Sequence, residues 1–462
     1  MPVDYQRLDD GVRGAARALG AARAALAAAP AGELAAELRA DPLARHARAA
    51  DPRWLERLAG EGDPLALALR DHVRALALAR ASWPLRVAGE AARRAPPATP
   101  GLAGAEPLAR ASVRELAARL LVEPSAAGRA LYAATLELRA GPVSSLALRA
   151  HERRLEAEAE LARGAVAPEP ELGGAPPGVV SRLCDELLAA TEPWRELLLA
   201  ESARARGPGW HGVLGAALGR DAGEGWPARL GTRFLGEVFG RSGWLAGRTF
   251  EWPRLPAPLG ATSFVRAFAD LGRALVDGAA EGARSFAFFD APAGVRREAR
   301  AGLMAAVALE RTFQERVLGL GRARARAQQR HLAVAVAQSL RIDLWRLGVG
   351  LALRRGGAAA ARERYRELGE RVLGQSPPVS LCGVLPRLEP DDPVAPRLAG
   401  LALAAPRRRE LRERFDEDWF RNPRLAELLH AEDQQAGDAA AAVADLGGAA
   451  RELVAELGAL LD

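Results

Sequence analysis

Ser263-Phe264-Val265-Arg266-Ala267-Phe268-Ala269-Asp270-Leu271-Gly272-Arg273-Ala274-Leu275 is the most informative stretch of this chain. Two arginines flank its single carboxylate, since Arg266 precedes Asp270 by four residues and Arg273 follows it by three. Side chains at these spacings face each other on an α-helix. We therefore predict a helix near residues 261–277 in which Asp270 pairs with Arg266 or Arg273.

The remainder of the chain also favours helices. Alanine, leucine, arginine and glutamate are strong helix formers and are abundant almost throughout. Apolar residues recur at three- and four-residue spacing, as at Val113, Leu116 and Leu120. Only residues 286–289 and 378–385 favour extended structure. The sequence predicts a mainly α protein with little β structure.

Length and breaker residues indicate how the chain is divided. A chain of 462 residues can bury a large core and favours two lobes over one. Glycine and proline gather over residues 164–178, which is the best candidate for a boundary. We predict an N-terminal helical lobe over residues 1–165 and a second helical lobe over residues 179–462.

The basic residues do not form a pattern typical of nucleic-acid binding. The chain lacks lysine, so all 64 basic residues are arginines, and the formal net charge is only +6. Arginines alternate with glutamates along the predicted helices, and the run Arg407-Arg408-Arg409 is too short to track phosphates. We expect no nucleic-acid partner. Without lysine, neither a P-loop nor a pyridoxal Schiff base of the usual kind can form.

The apolar segments and the first residues of the chain make the cytoplasm the default expectation. No run of about 18 uncharged apolar residues is present, so we expect no membrane span. The first residues lack a basic region followed by an apolar stretch, so we expect no secretory signal. Cys184 and Cys382 belong to no metal-binding spacing, and we expect both to be buried free thiols.

Six segments in the second part of the chain form a set that follows a fixed order. They are Thr191-Glu192-Pro193-Trp194, residues 225–230, residues 240–244, Gly272-Arg273-Ala274-Leu275, residues 285–289 and residues 412–424. Together these segments resemble the thimet oligopeptidase and oligoendopeptidase family of zinc metallopeptidases. The resemblance covers roughly residues 178–462 and is most specific near the C-terminus.

The resemblance implies a two-lobed, zincin-like helical fold around a central groove, but with a degenerate metal site. In His-Glu-x-x-His, two histidines one turn apart bind zinc and the glutamate acts as the base. On this alignment Ala269 and Arg273 replace the histidines, and Asp270 replaces the glutamate. The third ligand position falls on Arg284, or on Glu281 after a three-residue slip. Alanine cannot bind a metal and arginine repels one, so we expect no catalytic residue, no metal and no cofactor.

The resemblance therefore favours a non-catalytic metallopeptidase homologue. Such a protein would act by binding a peptide or a protein partner, and an active homologue is one candidate partner. A divergent zinc oligopeptidase that recruits its ligands elsewhere is the first alternative. An inert helical scaffold is the second.

Overall fold

The computed structural model describes residues 4–29, 36–59, 61–95, 108, 110–162, 178–217, 225–227, 231–255, 261–282, 285–289, 294–385, 394–434, 443 and 445–462. Within these ranges every regular element is a helix, which confirms the mainly α class. None of the helices in the described part of the chain combines the length and the apolar character needed to cross a bilayer.

The helices of the described residues are grouped here in chain order. The first group is α1 (Tyr5–Ala28), α2 (Ala36–Arg39), α3 (Arg53–Leu58), α4 (Pro64–Arg94), α5 (Val113–Val122) and α6 (Ala126–Ala162). The second group is α7 (Val179–Ala190), α8 (Arg195–Arg206), α9 (Trp210–Ala217), α10 (Thr232–Leu235), α11 (Ala261–Gly282) and α12 (Phe286–Phe289). The third group is α13 (Val295–Val307), α14 (Arg311–Arg316), α15 (Arg322–Leu373), α16 (Val394–Phe415), α17 (Pro423–Gln434) and α18 (Leu446–Leu461).

Local capping chemistry explains where several of these helices begin. The Asp63 carboxylate accepts a hydrogen bond from Leu65 N at 2.7 Å, and Pro64 occupies the first turn of α4, where its missing N–H costs nothing. Ser112 and Glu115 form a reciprocal capping box at the start of α5. These caps satisfy backbone N–H groups that the helix itself leaves without acceptors.

The long helix α15 is interrupted at Gly357. Its φ of 69° lies in the left-handed region that glycine adopts without steric cost. The two halves then pack against each other, since Trp345 Nε1 donates a hydrogen bond to Tyr365 O at 3.2 Å and the two rings lie 5.1 Å apart. α15 is therefore a helical hairpin rather than one rod.

Three large hydrophobic cores and a fourth small one organise the described residues. One lies among α1, α3, α4 and the short α12. A second combines side chains of α5 and α6 with those of α7, α15, α16 and α18. The third is rich in aromatic residues and surrounds α11. Residues 164–177 of the predicted boundary between the lobes lie outside the described residues, and the domain division stays a prediction.

Close helix contacts bring α11, α13 and α16 together. A Cβ added at Gly272 of α11 would lie 2.8 Å from Arg300 O, and one added at Gly400 of α16 would lie 2.4 Å from the backbone carbon of Glu298. Both distances are far below van der Waals contact, so glycine is required for α13 to fit between its neighbours. This packing fixes the position of Glu298 on α13.

Candidate functional site

A cavity of about 910 Å³ lies among the helices and is the candidate site. Its walls come from α1, α4, α5 and α9 and also from α11, α13, α15, α16 and α18. Most of the described lining is alanine, leucine and valine, interrupted by charged side chains. Mostly apolar clefts of this size, with a few placed polar groups, are typical binding sites for small ligands.

The predicted degenerate helix forms part of this cavity wall. The lining residues of α11 recur at helical spacing and are Thr262, Val265, Arg266, Ala269, Asp270 and Arg273. Three of the four vestigial positions, Ala269, Asp270 and Arg273, therefore share one face of one helix. The fourth, Arg284, lies outside the described residues.

Arg273 is held between two carboxylates. Its Nε lies 2.9 Å and its Nη2 2.7 Å from the carboxylate oxygens of Glu298, and its Nη1 lies 2.5 Å from Asp270 Oδ1. Glu298 is almost completely buried, and its two oxygens accept hydrogen bonds from Nε and Nη2 along one edge of the guanidinium. The predicted pairing of Asp270 is thus made with Arg273.

The electrostatics of this cluster follow from its burial and its partners. Burial opposes the charge on Arg273, but the hydrogen bonds and negative charges of Glu298 and Asp270 raise its pKa above the ordinary arginine value. The guanidinium therefore stays charged at every physiological pH. A fixed cation occupies this part of the cavity wall.

The residues on this face do not fit a catalytic zinc ion. Such an ion takes three nitrogen, sulfur or oxygen ligands from the protein. The methyl group of Ala269 offers none, and the guanidinium of Arg273 both repels a cation and engages Asp270 and Glu298. Across the described ranges, no three histidine, cysteine, aspartate or glutamate side chains are arranged to hold a metal.

Glu298 is the main residue of this site that the sequence analysis missed. The sequence placed the third ligand position at Arg284 or Glu281, yet the carboxylate that contacts Arg273 comes from α13, 25 residues beyond it. One weak feature of the sequence does point to Glu298 as a buried carboxylate. Glu298 lies three residues after Val295 and three before Ala301, so these side chains share the buried side of α13.

The expected extended structure of residues 286–289 is wrong, because this segment forms the helical turn α12. Asp9 of α1 supplies the reason, since its Oδ2 accepts a hydrogen bond from Phe286 N and its Oδ1 from Ala287 N, each at 2.7 Å. A carboxylate that accepts from successive N–H groups caps a helical turn. The other extended expectation, at residues 378–385, is wrong as well, since Val379–Leu381 forms a 3₁₀ turn.

Paired charges occur elsewhere on the cavity wall. Arg397 binds Asp343 through two parallel hydrogen bonds of 2.8 Å, and this pair joins α16 to α15. Arg408 pairs with Glu456 and joins α16 to α18. Glu90 of α4 lies 2.7 Å from Arg94 and 3.6 Å from Arg114 of α5. Ion pairs between helices therefore hold the walls in place as well as giving them polarity.

The two cysteines are free and buried, as predicted. Burial raises the pKa of Cys184 to about 12 and that of Cys382 to about 11. Both stay protonated at neutral pH, and a thiol without thiolate character is a poor nucleophile. Neither lines the cavity.

Three of the segments that carry the family resemblance, those with Trp226, Trp244 and Trp419, contribute to the aromatic core beside α11. Trp226 stacks on Phe264 at 4.5 Å, and Trp244 Nε1 donates a hydrogen bond to Phe420 O at 3.0 Å. Trp419 Nε1 donates to Glu310 at 3.1 Å. Comparison of the chain with models of protein families, with curated proteins and with solved structures gave no match.

Proposed function

We propose that this protein is a non-catalytic relative of the zinc oligopeptidases that binds a peptide in its central cavity without cleaving it. The observation that carries the proposal is the Arg273 cluster. A guanidinium clamped between Glu298 and Asp270 stands on the cavity wall where the resemblance places a zinc ligand.

The cavity supports a binding role. A space of about 910 Å³ is large enough for a short peptide, since pockets for organic ligands span about 300–1,000 Å³. The apolar walls suit peptide side chains, and the ion pairs between helices can contact the polar backbone of a peptide. The cation beside Asp270 is an arginine, and a guanidinium cannot bind and activate a water molecule as a metal ion does.

Two measurements on one purified sample test this function. We expect elemental analysis to show no stoichiometric zinc, and we expect a mixed peptide library to be retained on the protein with unchanged masses. Zinc near one equivalent together with cleaved products would establish the divergent zinc oligopeptidase instead. If the protein retains no peptide from the library and cleaves none, the inert helical scaffold becomes the favoured alternative.

A further inference from the structure

Arg266 differs from every other described arginine of the cavity. Each of the others donates a hydrogen bond to a carboxylate or a backbone carbonyl. Arg266 is half-buried on the cavity face of α11, and within the described part of the chain no group accepts a hydrogen bond from it. Its guanidinium donors are therefore available to a ligand.

The charges around Arg266 leave it without a full counter-charge. The nearest carboxylate, Asp270, is engaged by Arg273 at 2.5 Å. The other four carboxylates of the described lining, Glu90, Glu298, Asp343 and Glu456, are each paired with arginines too. Seven arginines face five carboxylates in this lining, so the cavity carries surplus positive charge.

We propose that Arg266 anchors a carboxylate of the peptide that occupies the cavity, an inference that rests on the proposed function. The planar guanidinium matches a carboxylate with two parallel N–H···O bonds. Val265 and Ala269 flank it on the cavity face and carry no polar group. An ion pair in such apolar surroundings is stronger than one in water.

The distribution of the remaining charges favours a peptide over a simple apolar acid. An apolar acid needs one polar anchor and otherwise apolar walls. Here ion pairs also occur at the junctions of α4 with α5, α15 with α16, and α16 with α18. A peptide has polar backbone groups along its whole length, and these can contact several such pairs.

Three libraries of N-acetylated pentapeptides with apolar side chains test the anchor. The first ends in a free carboxylate, the second in an amide, and the third in an amide with one internal glutamate. We expect the wild-type protein to retain at least one carboxylate library about tenfold more tightly than the plain amide library. The carboxylate library that is retained more tightly shows whether Arg266 binds a C-terminal carboxylate or a side-chain carboxylate.

Substitution of the anchor completes the test. Arg266→Gln removes the positive charge and keeps a polar group on a shorter side chain, so it should lower carboxylate binding to the amide level, with amide binding unchanged. Arg233→Gln, at a highly exposed site on α10, is the charge-matched control and should behave like the wild type.

Three outcomes on the wild-type protein are distinguishable. If it retains the carboxylate libraries no more tightly than the plain amide library, Arg266 is not a carboxylate anchor, but the protein still binds peptides. If the wild-type protein retains none of the three libraries, the proposed peptide-binding function is contradicted. If Arg266→Gln fails to fold, the ratio of acid to amide on the wild-type protein decides alone.

Discussion

The core face and the cavity face of α11 are built from different chemistry. On the core face, Phe264, Phe268 and Leu271 are fully buried among aromatic rings, with Phe239 and Phe268 in an edge-to-face contact at 4.9 Å. On the cavity face, Arg266 and Arg273 flank a single carboxylate. Packing on the core face fixes where the helix lies, so the cavity face can change its chemistry without moving the helix.

The largest effect is expected on the core face, from Phe268→Ala. This ring also contacts Phe313 at 5.7 Å, and its removal leaves a void that the surrounding rings cannot fill. We expect a loss of about 3–5 kcal/mol in the free energy of unfolding, measured by urea denaturation. Phe415→Ala, at a half-buried site of the same cluster, is the control and should cost clearly less. Equal losses at the two sites would show that the core face does not position α11.

The second effect concerns the cavity face and tests the family resemblance directly. Ala269→His combined with Arg273→His would place two imidazoles one turn apart, next to the carboxylate of Glu298. We expect this double variant to take up about one equivalent of zinc. Zinc at 100 times its Kd should then add about 2.7 kcal/mol to the free energy of unfolding of the variant. Zinc content and the shift of Tm on adding zinc measure the outcome.

Ala269→His alone is the control for this experiment, because it retains the cation at position 273 and should bind no zinc. A double variant that folds but takes up no zinc would contradict the assignment of Ala269 and Arg273 to ligand positions. That outcome would contradict the family resemblance, but it would not change the conclusion that the core face positions α11.

A smaller effect is expected from Glu298→Gln, which removes the charge opposite Arg273 but keeps the shape of the side chain. A buried hydrogen bond to a charged group is then weakened, so we expect a loss of about 1–3 kcal/mol in urea denaturation. Glu237→Gln is the matched control, since its pair with Arg233 spans 3.1 Å on the exposed surface. It should change stability by less than about 1 kcal/mol. Indistinguishable effects of the two substitutions would show that the Arg273 cluster contributes no more than a surface pair.

The two faces also differ in how far the sequence predicts them. The helix itself was predictable, because α11 (Ala261–Gly282) needs only local propensity and the spacing of Asp270 from its arginines. Glu298 was not, because its contact with Arg273 depends on the fit of α13 between Gly272 and Gly400. The helical turn α12 was missed for the same reason, since its cap, Asp9, is 277 residues away from Phe286 in sequence. Local pattern therefore predicts elements, while packing between distant elements decides which polar groups meet.

The smallest effect concerns the cavity wall contributed by α5, which is held by a local cap rather than by packing alone. Ser112 N and Oγ donate hydrogen bonds to Glu115 Oε2 at 2.8 and 2.9 Å. The backbone hydrogen bond from Ser112, followed by the one from its hydroxyl, lowers the pKa of Glu115 below its ordinary value. A carboxyl group with a lowered pKa stabilises the fold above its unfolded pKa, which is about 4.3 for glutamate, and loses this contribution as the pH falls through its folded pKa.

Glu115→Gln should therefore cost about 0.5–1 kcal/mol at pH 7, and its difference from the wild type should shrink as the pH falls below about 4.3. Urea denaturation of both proteins at pH 7 and at pH 3.5 measures this change. Glu413→Gln, at an exposed site on α16, should show a difference of less than about 0.5 kcal/mol at both values of pH. A difference for Glu115→Gln that persists unchanged into acid would mean that the carboxylate charge does not hold α5. The α5 wall of the cavity would then depend, like the core face of α11, on buried apolar contacts, because Val113, Leu116 and Leu120 are the side chains of this helix that lie in the core.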